Sequence, residues 1–322
     1  MTETEATPLV SVVITVRNAE KFISATLASI LQERNVPLEI VLIDNGCTDG
    51  TIDLVRAFND ERVRVIKGPC KGIAHALNVA YAEARGEIIM RCDGDDLFPP
   101  QRIARQVEWL AKHPEFGAVC GGFATIDVKG NPLADLGCEE QAQEITEELR
   151  DGVTRTHIGT FAIRAEAVKT AGYSREYFDC FEDIDFQLRL GEACRVWFVP
   201  EIEYQYRLHH TSSIHTTSST KREFYDFIAL EFQKQRRTQG SDDLQRGCPP
   251  PIPEAGDKSV MKASEHVQGM LMGSAWADHR AGLKQQALVK GVRSVIAQPV
   301  NLVAWRSLLA LAFKPAGNGS EN

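Results

Sequence analysis

The chain has 322 residues, of which 43% are hydrophobic and 25% charged, and it carries a net charge of -8. That length supports one sizeable core with an appendage, and the acidic balance argues against nucleic acid as a partner. No apolar run reaches the roughly 18–20 residues of a membrane span. The acidic start Met1-Thr2-Glu3-Thr4-Glu5 does not read as a secretory signal, and the eight cysteines form no Cys-x-x-Cys pair. The expectation is reduced thiols in a cytoplasmic chain, peripheral to a membrane at most.

The first half alternates strands with helices. Val10 to Val16 is a β-branched run and reads as a first strand; Asn18 is placed to cap a helix whose apolar face is Phe22, Ile23, Leu27, Ile30 and Leu31. Glu39 to Ile43 is a second strand, followed by the turn Asp44-Asn45-Gly46-Cys47-Thr48-Asp49-Gly50 and a helix with Ile52, Val55 and Phe58 on one side. Val63 to Ile66 is a third strand. A helix from Gly72 to Arg85 leads into the strand Glu87 to Cys92. Strands separated by helices of this length imply a parallel sheet with right-handed crossovers. Residues 123 to 160 read as irregular and partly acidic, and helix-strand material resumes from Ala165 to Tyr206. An amphipathic helix is expected over 221–238, with Phe224, Phe227, Ile228, Glu231 and Phe232 near one face. Cys248-Pro249-Pro250-Pro251-Ile252-Pro253 is a spacer. These signals divide the chain into a catalytic domain, 1–246, with halves at about 9–122 and 123–246, a Pro-rich linker, 247–256, and a helical extension, 257–322.

Three groups carry chemistry. Asp93-Gly94-Asp95-Asp96 leaves a buried strand just before Phe98-Pro99-Pro100. Carboxylates crowded at a strand exit repel one another unless a cation sits among them. Mg²⁺-like ions bind through one or two carboxylates plus phosphate oxygens; an acidic surface turn is the plainer alternative. Glu182-Asp183-Ile184-Asp185 opens a helix, where capping of the helix dipole explains Asp183 as well as a general base does. Tyr206-Arg207-Leu208-His209-His210, followed by Ser212, Ser213 and His215, matches no zinc pattern; His209 is left either to complete a metal shell begun by Asp93 and Asp95 or to touch a phosphate. There is no P-loop, no Gly-x-Gly-x-x-Gly after the first strand, no Gly-x-Ser-x-Gly elbow and no EF-hand loop.

In order, Val12 to Glu20, Asp44 to Thr51, Gly72 to Asn78, Asp93 to Asp96, Glu182-Asp183 and Tyr206 to His209 resemble a family 2 glycosyltransferase of the GT-A fold, over roughly residues 9 to 215. The resemblance implies an α/β architecture with a Rossmann-like, mostly parallel sheet flanked by helices and a mainly helical C-terminal appendage. It implies an inverting, metal-dependent transfer of a sugar from a nucleotide-diphosphate donor, a UDP-sugar first, to a hydroxyl acceptor on a glycan, a lipid-linked saccharide or another molecule, in cell-surface glycan synthesis. Thr15, Asn18, Glu20 and Asp44 would line the nucleoside pocket, with Arg17, Lys71, Gly72, Asn78, Asp93 and Gly94 also on the donor. Asp93, Asp95 and His209 would hold Mn²⁺ or Mg²⁺, and Asp183 would be the base with Glu182 supporting it. The chain departs from the family at Thr15-Val16-Arg17-Asn18, where Pro-x-Tyr-Asn is usual, at Asn45 and at Cys47, which weakens the uridine assignment. A silent nucleotide- or partner-binding module and a sugar nucleotidyltransferase are the competing readings. The segment from Arg280 onward is basic and ends in the apolar run Leu302 to Phe313. That run packs on the domain or on another subunit, the favoured reading, or lies on an anionic membrane surface as basic interfacial helices with Trp do.

Overall fold

The computed structural model describes residues 8–136, 141–209, 218–254, 263–280 and 282–316. His210, Ser212, Ser213 and His215, raised by the sequence, lie outside them. The elements run in chain order as β1 (Val10–Val16), α1 (Ile23–Leu31), β2 (Leu38–Asp44), α2 (Thr51–Ala57), β3 (Val63–Lys67), α3 (Ile73–Glu83), β4 (Ile88–Arg91) and α4 (Arg102–Lys112). They continue with β5 (Ala118–Ile126), β6 (Pro132–Leu136), β7 (Gln143–Glu144), α5 (Thr146–Arg150), β8 (Ala162–Arg164), α6 (Ala165–Ala171), α7 (Glu182–Ala193) and β9 (Val196–Arg207). Four longer helices follow: α8 (Ser219–Gln239), α9 (Ala263–Arg280), α10 (Lys284–Ala297) and α11 (Leu302–Phe313).

The strands form one sheet in the order β3-β2-β1-β4-β8-β5-β9-β7, with β6 paired to β5. β1 is parallel to β2 on one side and to β4 on the other, so the chain winds outward from β1 to β3 and then returns to its far side. Ligands of open α/β sheets bind at such a reversal, outside the carboxyl ends of the strands. Here those ends are Val16, Asp44 and Arg91.

The apolar runs of β1 and β2 are nearly continuous because both faces are covered. Val12, Ile14, Ile40 and Leu42 pack with Leu27, Ile30, Ile103 and Val107 of α1 and α4. Val13, Val41, Ile43 and Ile89 face the other layer, with Ala76, Leu77 and Ala80 of α3 and Phe186 and Leu190 of α7.

Three expectations need correction. Asn18 does not cap α1, whose N-cap is Phe22; Asn18 sits in the left-handed region at φ 58°, and its Oδ1 accepts from the amide and hydroxyl of Thr48. The described residues of 123 to 160 are not all irregular: they complete β5 and supply β6, β7 and α5. On α8, Tyr225, Ile228, Ala229 and Phe232 are buried, whereas Phe227 is 62% exposed and belongs to the opposite face. Residues 249–254 have no regular structure, and the Tyr177 hydroxyl donates to the Pro250 carbonyl there. No helix among the described residues is long and apolar enough to cross a membrane.

Candidate functional site

The loops after β1 and β2 are stapled into one wall. Besides the Asn18–Thr48 bonds, the Gly50 amide donates to Glu20 Oε2 and the Glu20 amide to Asp49 Oδ2, each at 3.2 Å. Asp44 Oδ1 accepts from the amides of Cys47 at 2.8 Å and Gly46 at 3.2 Å. Burial works to raise its pKa, but these amides outweigh it and hold the carboxyl below its ordinary range. Asn45 reaches the other way, accepting from the Cys70 amide and donating to the Gly72 carbonyl. The chain thus uses Asn45, where the family has a second Asp, to anchor the loop carrying Lys71. Arg17 and Lys71 are exposed and Thr15 half-buried at the rim.

The acidic stretch after β4 divides its labour. A Cβ at Gly94 would lie 2.6 Å from Val16 Cγ1, so only glycine lets this loop close on the end of β1. Asp95 Oδ2 lies 2.6 Å from His209 Nε2. Asp96 is fully buried; it accepts from the Tyr204 hydroxyl and the Arg207 amide, both at 2.7 Å. Burial, then the charges of Asp95 and Asp93, push its carboxyl well above the carboxylate range. Asp96 therefore ties the loop to β9, and the exposed chemistry falls to Asp93 and Asp95.

Arg91 connects this loop to α7. Its Nε donates to Asp93 Oδ1 and its NH1 to Glu182 Oε1, both at 3.0 Å. The guanidinium is buried, and the two carboxylates raise its pKa well above normal against the pull of burial. One cation cannot neutralise both partners. Against its own burial, Asp93 is held below its ordinary pKa by Arg91 and then His157, while burial pushes Glu182 up to about 7 in spite of Arg91. Asp183, the next residue, is half-buried in the first turn of α7, so Glu182 turns to the bridge and Asp183 stays at the helix mouth. No side chain caps α7.

Sequence reasoning passed over Arg91, His157 and Tyr204, and it gave no individual role to Asp96 or Tyr206 within the groups it singled out. His157 stacks against Tyr204 and Tyr206, with ring centroids 5.0 and 5.2 Å away. Its Nδ1 accepts from the Gly159 amide, which leaves Nε2 to carry the proton of the neutral ring. Burial depresses its pKa, against the charges of Asp93 and Asp183. Nothing local in Thr156-His157-Ile158 signals this, because its neighbours come from β9, some fifty residues on. Asn78, expected on the donor, donates to the Ser174 carbonyl; its buried Oδ1 has no partner among the described residues.

A carboxylate and an imidazole nitrogen meet at Asp95–His209, while the Asp93 carboxylate, two residues earlier, is held by Arg91. Among the described residues no three His, Cys, Asp or Glu side chains gather as a metal cluster. Ions such as Mg²⁺ use one or two protein carboxylates and fill their shell with waters and phosphate oxygens, and carboxylates also suit Mn²⁺. The donor set fits a divalent ion that arrives with a diphosphate.

The family model described as "Glycosyl transferase family 2" matches residues 11–181. A putative glycosyltransferase, EpsE, of Bacillus subtilis is 32% identical over 62% of this chain and 73% of its own length. The chain spans only 24% and 21% of two longer curated relatives. Among solved structures, Staphylococcus aureus TarS 1–349 with UDP-GlcNAc superposes with a TM-score of 0.59 at 16% identity, covering 94% of this chain and 87% of that one. The mannosyltransferase PcManGT of Pyrobaculum calidifontis, in complex with GDP-Man and Mn²⁺, gives 0.54 at 22% identity, covering 95% and 81%. At these identities the likeness is one of fold, and the fold is GT-A.

Proposed function

The chain belongs to glycosyl transferase family 2, and from that premise we propose that it transfers one sugar, with inversion, from a nucleotide-diphosphate donor to a hydroxyl of a growing glycan. The observation that carries this reading is the Arg91 bridge, which fixes the donor-side Asp93 and the α7 residue next to Asp183 against one side chain. Leaving-group stabilisation and proton abstraction need separate carboxylates held at a set spacing, and Arg91 spans the two.

Asp183 takes the proton from the acceptor hydroxyl as it attacks, and the C–O bond to the diphosphate breaks from the opposite face. Glu182, tied to Arg91, orients the first turn of α7. Asp95, His209 and Asp93 are the residues that would hold a divalent ion. When bound, that ion supplies Lewis-acid stabilisation of the leaving diphosphate. Arg17 and Lys71 provide further positive charge at the rim. Asp44, Thr15 and the braced Asn18 and Glu20 frame the nucleoside pocket, with a uridine donor as first choice.

Thermal stabilisation by UDP, GDP, dTDP and CDP, each with and without Mn²⁺, tests the donor side, because a ligand that binds only the native state raises its stability. The expected result is a shift with UDP that needs the metal and disappears in Asp95→Ala. Asp183→Asn should keep that shift but lose about 10²–10⁴-fold in transfer rate, the usual worth of a general base. No shift with any nucleotide, or undiminished transfer by Asp183→Asn, would overturn the assignment.

A further inference from the structure

The C-terminal helices leave an uncovered surface of unusual composition. Of the sixteen large hydrophobic residues exposed in the described structure, ten lie between Leu283 and Phe313. On α11 they are ordered. Ala304 and Leu311 are buried, and Leu308 and Leu311 reach toward Gly291 of α10. Leu302, Trp305, Leu309 and Phe313 recur at intervals of three and four residues on the opposite side, Leu302 at 71% and Phe313 at 83% exposure. Val289, Val292 and Ile296 leave a similar stripe on α10, and Val300 is exposed in the turn between the helices.

The charge around these stripes has one sign. Residues 280–316 contain six basic residues and no acidic one, in a chain whose net charge is -8. Lys290 is spent on buried Asp278. Arg280, Lys284, Arg293, Arg306 and Lys314 make no ion pair with any described carboxylate, and Arg306 is exposed within the α11 stripe itself. The indole of Trp305 donates to the Pro299 carbonyl, which fixes the ring at the start of the helix.

We propose that this face docks in the plane of an anionic lipid surface. A 12-residue helix is about 18 Å long, too short to span a bilayer but suited to lie in the headgroup region with its apolar side down. Trp and basic side chains are the residues that settle at that depth. A second copy of the same face is disfavoured, because it would set cations against cations with no acid between them. The helices are joined to the catalytic sheet at β6, through Ser274 Oγ to the Asp135 carbonyl and Arg293 to the Leu133 carbonyl. Docking would thus hold the enzyme beside acceptors borne on a membrane. This inference adds a partner to the transferase reading and does not rest on it.

The test is sedimentation of the full chain with phosphatidylcholine vesicles, plain or containing about one-third phosphatidylglycerol, at low and high salt. The expected result is binding to the anionic vesicles alone, reversed by salt. Arg306→Glu and the double variant Trp305→Gln/Phe313→Gln should each weaken it about tenfold, with unchanged circular-dichroism melting. A wild-type protein that stays in the supernatant, or variants that bind as well as wild type, overturns the proposal. So does a dimer, seen by light scattering, that the variants dissociate without any vesicle binding. No donor or metal enters the assay, so its failure leaves the catalytic assignment untouched.

Discussion

Arg91 is one charge shared by two carboxylates, and its buried side chain makes that sharing costly to disturb. Removing one member of a buried ion pair leaves the other charge without compensation, typically at about 3–5 kcal/mol. Arg91→Met should therefore unfold at markedly lower urea concentration than wild type and lose transfer activity. Adding Glu182→Gln removes one of the stranded acids, so the double variant should regain part of the lost stability. Urea midpoints for the two single variants and the double check this, and losses that merely add would mean that the two side chains are not coupled. The sequence could pick out Asp93, Asp95, Glu182 and Asp183 because each stands in a local pattern of carboxylates. It offered His209 to Asp95, and the two touch. Arg91 could not be found that way, since its partner Glu182 lies 91 residues further along the chain. Asp96 looked like its neighbours, and only the burial created by Tyr204 and Arg207 separates it from them.

At the level of elements, α4 and β9 meet through a charge cluster around the buried Glu203. Glu203 of β9 accepts from Arg105 of α4 at 3.0 Å, close to the fully buried Arg102. Burial pushes the Glu203 carboxyl up to about 7 from an ordinary 4.5, against both arginines. The folded state therefore holds this proton more tightly than the unfolded chain does. The resulting stability is complete below pH 4.5 and is lost as the pH rises through about 7, the native state being the one that binds more protons there. Glu203→Gln, which cannot titrate, should lack this loss. Melting temperatures of the two proteins should diverge steadily across that window, the wild type falling relative to the variant, and parallel curves would show that Glu203 is ionised throughout. Elements of this kind were unevenly legible. β1, β2 and β4 announce themselves as β-branched runs covered on both faces, and α7 through its apolar spacing. β6, β7 and α5 were missed because they are short and partly exposed; for the two strands, pairing with β5 and β9 rather than side-chain pattern decides them. Asn18 was misread for a related reason: a residue fit to cap a helix is equally fit for a left-handed turn, and Thr48 on another loop settled which.

Across the whole molecule, the cores that hold the two ends of the chain differ greatly in size. β1, β2 and β4 sit between two layers of helices, with most of their apolar side chains fully buried. Among the described residues, the assembly of α9, α10 and α11 buries Leu271, Ala275, Ala287, Val295, Ala304 and Leu311, with Met272, Trp276 and Leu288 partly buried beside them. One buried ion pair, Lys290 with Asp278, stands inside it. It leans on β6, which pairs only with β5. Local opening free energies follow buried apolar contact, so such a unit opens well below the global unfolding free energy. In hydrogen-exchange mass spectrometry the amides of α9–α11 should exchange long before those of β1, β2 and β4, although both are hydrogen-bonded in regular structure. Binding of a nucleotide with metal should slow exchange at 44–51 and 91–96 and leave 263–316 unaffected. Exchange of the three helices in step with the central strands would mean that the appendage and the catalytic sheet unfold as one unit. In that case, covering the stripe on α11 would also stabilise the donor site. If the helices open first, the enzyme can gain or lose a surface without disturbing the geometry that Arg91 maintains.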